Sequence, residues 1–460
     1  MKKAVAGIVA GLALGVVTAV WAVPASIVQR GPFTLEECIA MALESNLRIE
    51  AANERLSEMD AAIGEAATAN RPKLSGQAAY TRLIPQPTAN VPVGVDLSAP
   101  SAQAGIFAPI AMREFEGSGN AYTAGLTLSQ VIYSGGRVGN AQKITEHSRS
   151  AAEWQKKSTV REIRRDVTKA YYNALAAEKG VVALDSAIAL MEVMLRDLGN
   201  AVEVGMRGEH ELLQAQVQLA NQQLARKQAA TRAQMAHDYL ATLTGIPVNT
   251  PITLANELQA PESFTVQQPA ALQAKARSVS TDLKALEEQM KIIETSLLIT
   301  KATNIPTVAA AASYSGQGTG GLGSKHNFNW KNSGTLSLMM QWDIYDGGAL
   351  NHRKKQTLSQ KRQLELTMEN VGINLDMLVK NNCASLQDAF ASIETNRKSI
   401  EQAKRSYEIS YDKFQEGMML SSELLNAQNV TLQAEISYYA ALSNFYAAQA
   451  DLDYLVNEER

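Results

Sequence analysis

From Ile163 onward the apolar positions advance by alternating steps of four and three: Ile163, Val167, Ala170, Ala174, Ala177, Val181, Leu184, Ile188, Met191, Leu195, Leu198 and Val202. A period of 3.5 residues keeps one stripe of a helix against a partner only when the helices supercoil left-handedly, so the pattern predicts a long coiled-coil helix. Moved 212 residues along the chain, the same positions read Leu375, Val379, Asn382, Leu386, Ala389, Ile393, Asn396, Ile400, Ala403, Tyr407, Ser410 and Phe414, mostly apolar with a few polar interruptions. Each helix is predicted to run from a Gly-Gly pair (Gly135-Gly136, Gly347-Gly348) to a Gly-Met turn (Gly205-Met206, Gly417-Met418). That is about 70 residues, or about 100 Å at 1.5 Å per residue. Beyond the first turn, Leu213, Val217, Ala220 and Leu224 continue the spacing and predict a second helix packed back on the first as an antiparallel hairpin.

Elsewhere the period falls to two. In "TLSLMMQWDIY" (335–345), Leu336, Leu338, Met340, Trp342 and Ile344 alternate with Thr335, Ser337, Gln341 and Asp343, Met339 being the exception, and Leu126, Leu128 and Ile132 alternate with Thr127 and Ser129. Alternation over about ten residues with one fully apolar face is the pattern of a membrane-spanning strand, lipid on one side and a lumen on the other. Four strands are predicted, at about 74–82, 122–133, 307–316 and 335–345, with Pro72 and Pro306 each ending a helix before them. Thr34 with Glu37 reads as a capping box, Phe33 and Cys38 as its hydrophobic staple, and Ser134 and Asp346 as N-caps where a strand hands over to a long helix.

These elements occur twice. Glu211, Leu212-Leu213 and Ala215-Gln216 fall on Glu423, Leu424-Leu425 and Ala427-Gln428 at the 212-residue spacing, as does Tyr133 on Tyr345. Pro72 and Tyr80 match Pro306 and Tyr314 at a spacing of 234, so the first copy carries 22 extra residues between Tyr80 and Tyr133. That interval holds Pro85, Pro87, Pro92, Pro100 and Pro109 and reads as a longer loop. The expected division is a leader over 1–25, a first repeat over 26–255 and a second over 256–460.

The leader follows from Lys2-Lys3 and the apolar run Ala4 to Val23, the plan of a secretory signal, with cleavage after Ala22 or Ala25. A membrane helix needs about 20 apolar residues in succession, and no such run follows residue 25. An exported chain that still touches a membrane would have to use strands. Four strands cannot close a barrel when the smallest have about eight, and open edges are forbidden in lipid, so the chain is expected to oligomerise.

Composition narrows the remaining choices. With 43 basic and 46 acidic residues the chain has a net charge of −3 and no basic face for nucleic acid. Cys38 and Cys383 are too few for a disulfide framework and read as small buried residues. Gly316, Gly318 and Gly321 satisfy G-x-G-x-x-G but lie between two predicted strands, where a flexible extracellular loop is the better reading. "GEHELL" lacks the second histidine of a zinc helix, the five histidines are scattered, and no enzyme, cofactor or metal site is expected.

"FTLEECIAMALESN" (33–46), "YSGGRVGNAQ", "YDGGALNHRK" and the two tips together resemble the TolC-type outer membrane efflux proteins over essentially the whole mature chain. Leu47 departs from the family, which often has proline there, with an effect expected only on the local turn. The resemblance implies a homotrimer with a shared twelve-stranded barrel in outer-membrane lipid and a long periplasmic α-barrel. Its role would be the exit duct of a tripartite efflux pump or type I secretion system, docked through a periplasmic adaptor to an inner-membrane RND or ABC transporter. It also implies that the tips close the periplasmic end, with Glu423 and Asn426 where the family often has two lumenal aspartates, and Glu211 and Gln214 at the matching places of the first tip. Met419 and Phe414 stand where some members carry a locking arginine and tyrosine, so closure by packing is expected; Gly205, Met206, Gly417 and Met418 are the expected adaptor contacts. An exported coiled-coil adhesin or spacer would explain the heptads and leader but not strands interrupting the rods at matched places, and a simple porin would need more strand.

Overall fold

A computed structural model describes residues 32–82, 84, 88–95, 110–116, 120–248, 250–255, 257–261, 268–319 and 329–457. The expected leader and Gly321 lie outside them. Among these residues the helices are α1 (Leu35–Ser45), α2 (Leu47–Thr68), α3 (Arg137–Glu203), α4 (Glu209–Thr244), α5 (Pro269–Val279), α6 (Thr281–Ala302), α7 (Ala349–Gln415) and α8 (Ser421–Val456). The strands are β1 (Lys73–Arg82), β2 (Thr88–Val95), β3 (Ile110–Glu116), β4 (Asn120–Tyr133), β5 (Thr307–Thr319) and β6 (Asn329–Gln341). The helices come in equal pairs: α1 and α5 have 11 residues, α2 and α6 have 22, α3 and α7 have 67, and α4 and α8 have 36. The first two pairs start 234 residues apart and the last two 212, so the described helices repeat in order at the two spacings seen in the sequence.

The described residues form two compact units, and neither is one of the two copies: those up to 53, within 155–282 and from 370 onward make one, and those within 54–154 and 283–369 the other. In the first, Ile163, Val167, Tyr171, Leu240, Ile393, Leu442 and Phe445 share a core with Phe33 and Cys38. The capping box opens α1 as expected, with the Thr34 amide donating to Glu37 Oε2 at 2.9 Å and the Glu37 amide to Thr34 Oγ1 at 3.3 Å. Phe33 is fastened twice more, its amide donating to the Thr253 carbonyl at 2.8 Å and its own carbonyl accepting from the buried Tyr171 hydroxyl at 3.0 Å. Both cysteines are free and buried, and burial, with a smaller push from Glu37, raises the Cys38 thiol to about 12. Leu47 is exposed and opens α2 directly after the Asn46 cap.

The heptad seam of α3 is buried along its length, Ile163, Val167 and Ala170 in this core, Ala174 and Leu184 beyond it, and Met191 and Leu198 in a second apolar cluster. In α7 the same stripe buries Leu375, Val379, Leu386, Ile393, Ala403 and Phe414. Polar contacts join the arms of each antiparallel hairpin: an Asp185–Arg226 ion pair (2.8 Å) and a Glu178–His237 side-chain contact (2.7 Å) in one, and a Lys404–Glu435 ion pair (2.8 Å) in the other. The expected stripe of α4 is the wrong face: Leu213, Val217 and Leu224 are 52%, 62% and 56% exposed, while Ala215, Gln222, Ala233, Ala236 and Leu240 are buried. Four-and-three spacing marks an apolar stripe but does not say which of two candidate stripes meets the partner; the small-residue stripe does.

In the second unit β1, β4, β5 and β6 form one antiparallel sheet in that order, while β2 and β3 pair separately. The interval expected as loop therefore contains a two-stranded ribbon, in which Pro92 sits at a register shift. Strand β5 runs to Thr319, so Gly316 and Gly318 lie within a strand rather than in a loop. The fourth strand is shifted from its expected place: β6 spans 329–341 and leaves Trp342, Ile344 and Tyr345 outside. Gln341 pairs with Thr307, the first residue after Pro306, so β5 offers nothing further for 342–345 to pair with. The prolines open strands rather than end helices, since α2 and α6 stop at Thr68 and Ala302, four residues before Pro72 and Pro306.

Register sorts the sheet into two faces. Leu74, Tyr80, Tyr122, Leu126, Leu128, Tyr314, Leu336, Leu338 and Met340 share one; Ser75, Gln77, Thr123, Thr127, Ser129, Ser313, Ser315, Ser333, Thr335 and Ser337 share the other. Hydroxyls on the second face bond among themselves and to strand carbonyls, Ser313 to Thr335 at 2.6 Å and Ser75 to the Thr127 carbonyl at 3.3 Å. Strands β1 and β6 each have one neighbour among the described residues. No described helix is long and apolar enough to cross a membrane. Paired glycines turn strand into helix: Gly135, Gly136, Gly347 and Gly348 all have positive φ, 62° to 87°. Ser134 Oγ then accepts from the Val138 amide at 3.4 Å, and Asp346 Oδ2 from the Leu350 amide at 2.7 Å.

A Cβ at Gly125 would sit 2.9 Å from Ser315 Cβ and 3.3 Å from the backbone of Tyr314 and Ser315, where neither strand can give way. Overpacking of this kind costs about 1–3 kcal/mol. Gly125→Val is expected to reduce the yield of heat-labile oligomer on semi-native gels severalfold, whereas Gly64→Ala, on an open helix surface, leaves it unchanged.

Candidate functional site

The two hairpin tips are built from one backbone device. At the end of α3 the Gly205 amide donates to the Val202 carbonyl (3.0 Å) and the Met206 amide to the Ala201 carbonyl (2.8 Å), with Gly205 at φ 75°. At the end of α7 the Gly417 amide donates to the Phe414 carbonyl (3.1 Å) and the Met418 amide to the Lys413 carbonyl (2.9 Å), with Gly417 at φ 77°. This is the Schellman closure, in which a left-handed residue satisfies carbonyls left open at a helix end, and it explains each glycine. It does not require the methionines, whose side chains are 80% (Met206) and 69% (Met418) exposed.

The glutamate six residues beyond each glycine has a local reason as well. Glu211 and Glu423 are the third residues of α4 and α8, where a carboxylate meets the partial positive charge of the helix N-terminus. The two differ in their surroundings. Glu211 is half-buried and pairs with Arg207 at 3.3 Å; Glu423 is exposed and makes no ion pair among the described residues. Asn426 is exposed one turn further along α8, and Gln214 is exposed at the matching place on α4.

Arg207 is the residue that sequence reasoning missed. Its Nη2 donates to the carbonyls of Phe414 (3.2 Å) and Met419 (3.0 Å), and its guanidinium lies 4.9 Å from the centre of the Phe414 ring. One side chain of the first tip therefore grips the backbone of the second on both sides of its turn. Within the chain, Phe414 and Met419, where closure resting more on packing was expected, are also held by the Arg207 guanidinium through their carbonyls. At the 212-residue spacing Arg207 falls on Met419, the position searched for an arginine. Asking the same question of both copies would have found it.

Packing beneath the pin is apolar, with Met191, Met194, Leu198, Ala215, Phe414, Leu424 and Leu425 in one cluster and Met419 partly buried against it. The repeated Glu-Leu-Leu-x-Ala-Gln motif serves two environments. Leu424 and Leu425 are buried where Leu213 is exposed, and Gln428 is buried with its amide on the Ala187 carbonyl at 2.6 Å where Gln216 is exposed. Further from the tip, Gln218 and Gln222 both donate to Asn429 Oδ1, at 3.2 and 3.3 Å.

Elsewhere a groove of about 860 Å³ is lined by Arg161, Arg165, Tyr172, Asp453 and Tyr454, without a serine, cysteine or histidine. Among the described residues no group of three or more His, Cys, Asp or Glu side chains is placed to hold a metal ion.

Comparison with known proteins adds independent findings. The profile of a family described as outer membrane efflux protein matches residues 38–246 and 272–458. The chain is 24% identical to Protein CyaE of Bordetella pertussis over 62% of this chain and 58% of that protein, less than two thirds of its length. It is 22% identical to the outer membrane efflux protein BepC of Brucella suis over 69% of this chain and 68% of that one. The fold is that of the Campylobacter jejuni CmeC outer membrane channel, with a TM-score of 0.70, 17% identity, and 92% of this chain and 85% of that chain covered.

Removing the pin should loosen the tips without unfolding the rods. Hydrogen bonds to a charged group are worth about 1.5–3 kcal/mol each, so Arg207→Ala is expected to speed amide hydrogen exchange over residues 203–209 and 415–421 by about tenfold or more. The central amides of α3 are expected to keep their protection. Unchanged exchange at both tips would remove Arg207 from its role.

Proposed function

Because this chain belongs to the outer membrane efflux protein family, an outer-membrane exit duct by family and by fold, we propose that its paired hairpin tips form the periplasmic gate of that duct. Three copies supply four strands each to one twelve-stranded barrel, which continues into a helical barrel in the periplasm. The observation that carries this reading is the sheet: among the described residues, four strands with one face apolar through its middle and polar residues such as Arg82, Asn120, Gln130 and Asn332 towards its ends, and two single-neighbour edges, β1 and β6, in a chain without a described membrane helix. Joining β6 of one copy to β1 of the next satisfies both edges and turns the apolar face to lipid.

At the gate, three Glu423 side chains around the axis would make an anionic ring favouring cations, with Asn426 leaving the adjoining ring neutral. Glu211 and Gln214 line the first tip, where Arg207 already neutralises Glu211. Phe414 and Met419 form the closing layer under the Arg207 pin. Gly205, Met206, Gly417 and Met418 offer an exposed apolar rim to a periplasmic adaptor, which couples the duct to an inner-membrane RND or ABC transporter. We read the chain as a leader (1–25) and two repeats (26–255 and 256–460). Its chemistry is passage rather than catalysis.

Two measurements test this reading. Detergent extraction of outer membranes is expected to release a heat-labile species whose cross-linked mass equals three chains; a soluble periplasmic monomer would overturn the duct. In planar bilayers Glu423→Gln is expected to weaken both cation preference and block by multivalent cations, and unchanged selectivity would remove the glutamate ring.

A further inference from the structure

The four strands of the large sheet contain no acidic residue, and their basic residues are Lys73, Arg82 and Lys331. Register separates these three. Arg82 pairs with Asn120, in line with Tyr80 and Tyr122 at the rim of the apolar face. Lys73 pairs with Ser129 and Lys331 with Gln317, both on the hydroxyl-rich face. The pairing Lys331–Gln317–Thr123–Ala79 carries Lys331 to the level of Ala79 on β1. Six residues of strand therefore separate the two lysines, about 20 Å at 3.3 Å per residue. Lys73 lies at the end of the sheet next to the helices and Lys331 at the end next to the loops. Both are exposed, and among the described residues neither makes an ion pair. The nearest described carboxylates in sequence stand outside these strands, Glu65 eight residues before Lys73, Glu116 closing β3 and Asp343 following β6.

Resting on the duct reading above, we infer that Lys73 and Lys331 line the barrel lumen as two cationic rings on a wall of hydroxyls, and that this passage favours anionic solutes, those bearing carboxylate or phosphate. Three-fold symmetry makes each ring three charges with no opposing carboxylate from the wall. The hydroxyl groups satisfy one another and the strand carbonyls, so they wet the wall without neutralising it. In about 0.1 M salt the screening length is about 10 Å, about half of the 20 Å of strand that separates the two lysines, so the two act as distinct charged positions on the wall. The duct is then electrically two-sided: an acidic gate in the periplasm and a basic barrel in the membrane.

The test is the reversal potential of the purified trimer in planar bilayers under a potassium chloride gradient at about 0.1 M, with the Glu423→Gln background used to quiet the gate. In that background the chloride-to-potassium permeability ratio is expected to exceed one. Adding Lys73→Gln and Lys331→Gln should lower it by about twofold or more, while Lys73→Arg with Lys331→Arg should preserve it. Conductance with an unmoved ratio would overturn the lysine rings and leave the duct standing. A heat-labile trimer without conductance would overturn the duct itself, and the rings with it. Should the glutamine pair fail to assemble, the arginine pair against either single glutamine variant reads the same ratio, and equality between them likewise overturns the inference.

Discussion

An open β-sheet in lipid leaves rows of N–H and C=O groups with neither water nor a partner, and each unsatisfied group costs several kcal/mol. Among the described residues strands β1 and β6 each have one neighbour, and such edges in lipid need a further strand on each side. Adding strands from identical neighbours removes the edges without changing the strands. The oligomer, the lumen and the transport role all descend from that requirement. The long helices inherit their position from it, because the Gly-Gly turns with Ser134 and Asp346 caps launch α3 and α7 directly from the last residues of β4 and from just beyond β6.

Duplication explains the economy of the fold and also its asymmetry. Four helix pairs agree in length to the residue, yet matched positions have diverged in what they touch. Leu425 is buried and Leu213 exposed; Gln428 fastens α8 to α3 while Gln216 meets solvent; Glu423 is bare while Glu211 is neutralised. Arg207 falls on Met419 under the repeat, and in the folded chain it bonds that residue's carbonyl. A pair of equivalent positions has become a donor and its acceptor. In the proposed duct this gives a gate whose closing contact lies within each chain and whose free carboxylate faces the axis.

Much of the fold was legible in the sequence. A seam of 3.5 residues, a glycine that closes a helix, a Thr-x-x-Glu box and strict alternation are local signals, set by backbone geometry within one or two turns. The long helices with their turns, the capping box at Thr34 and the strand-to-helix caps were all readable for that reason. The spacing of 212 and 234 residues placed the repeat for the same reason, since it needs only the chain's own order.

What required tertiary structure was every choice between local equivalents. Nothing within α4 says whether the Leu213 stripe or the Ala215 stripe turns inward; the neighbouring helices decide, and they bury Ala215, Gln222, Ala233, Ala236 and Leu240. The end of β6 depends on where β5 begins, a fact stored more than 30 residues away at Pro306. Arg207 looks like any charged residue in a turn until the fold brings Phe414 and Met419 beside it, 207 and 212 residues distant. The sequence by itself determined the long helices with their turns, the presence and order of the four sheet strands, and the repeat, since these rest on interactions along the chain; the β2–β3 ribbon and the ends of β5 and β6 do not. The tertiary structure alone decided burial, register and the pinning of the tips, since these rest on partners the chain meets only after folding.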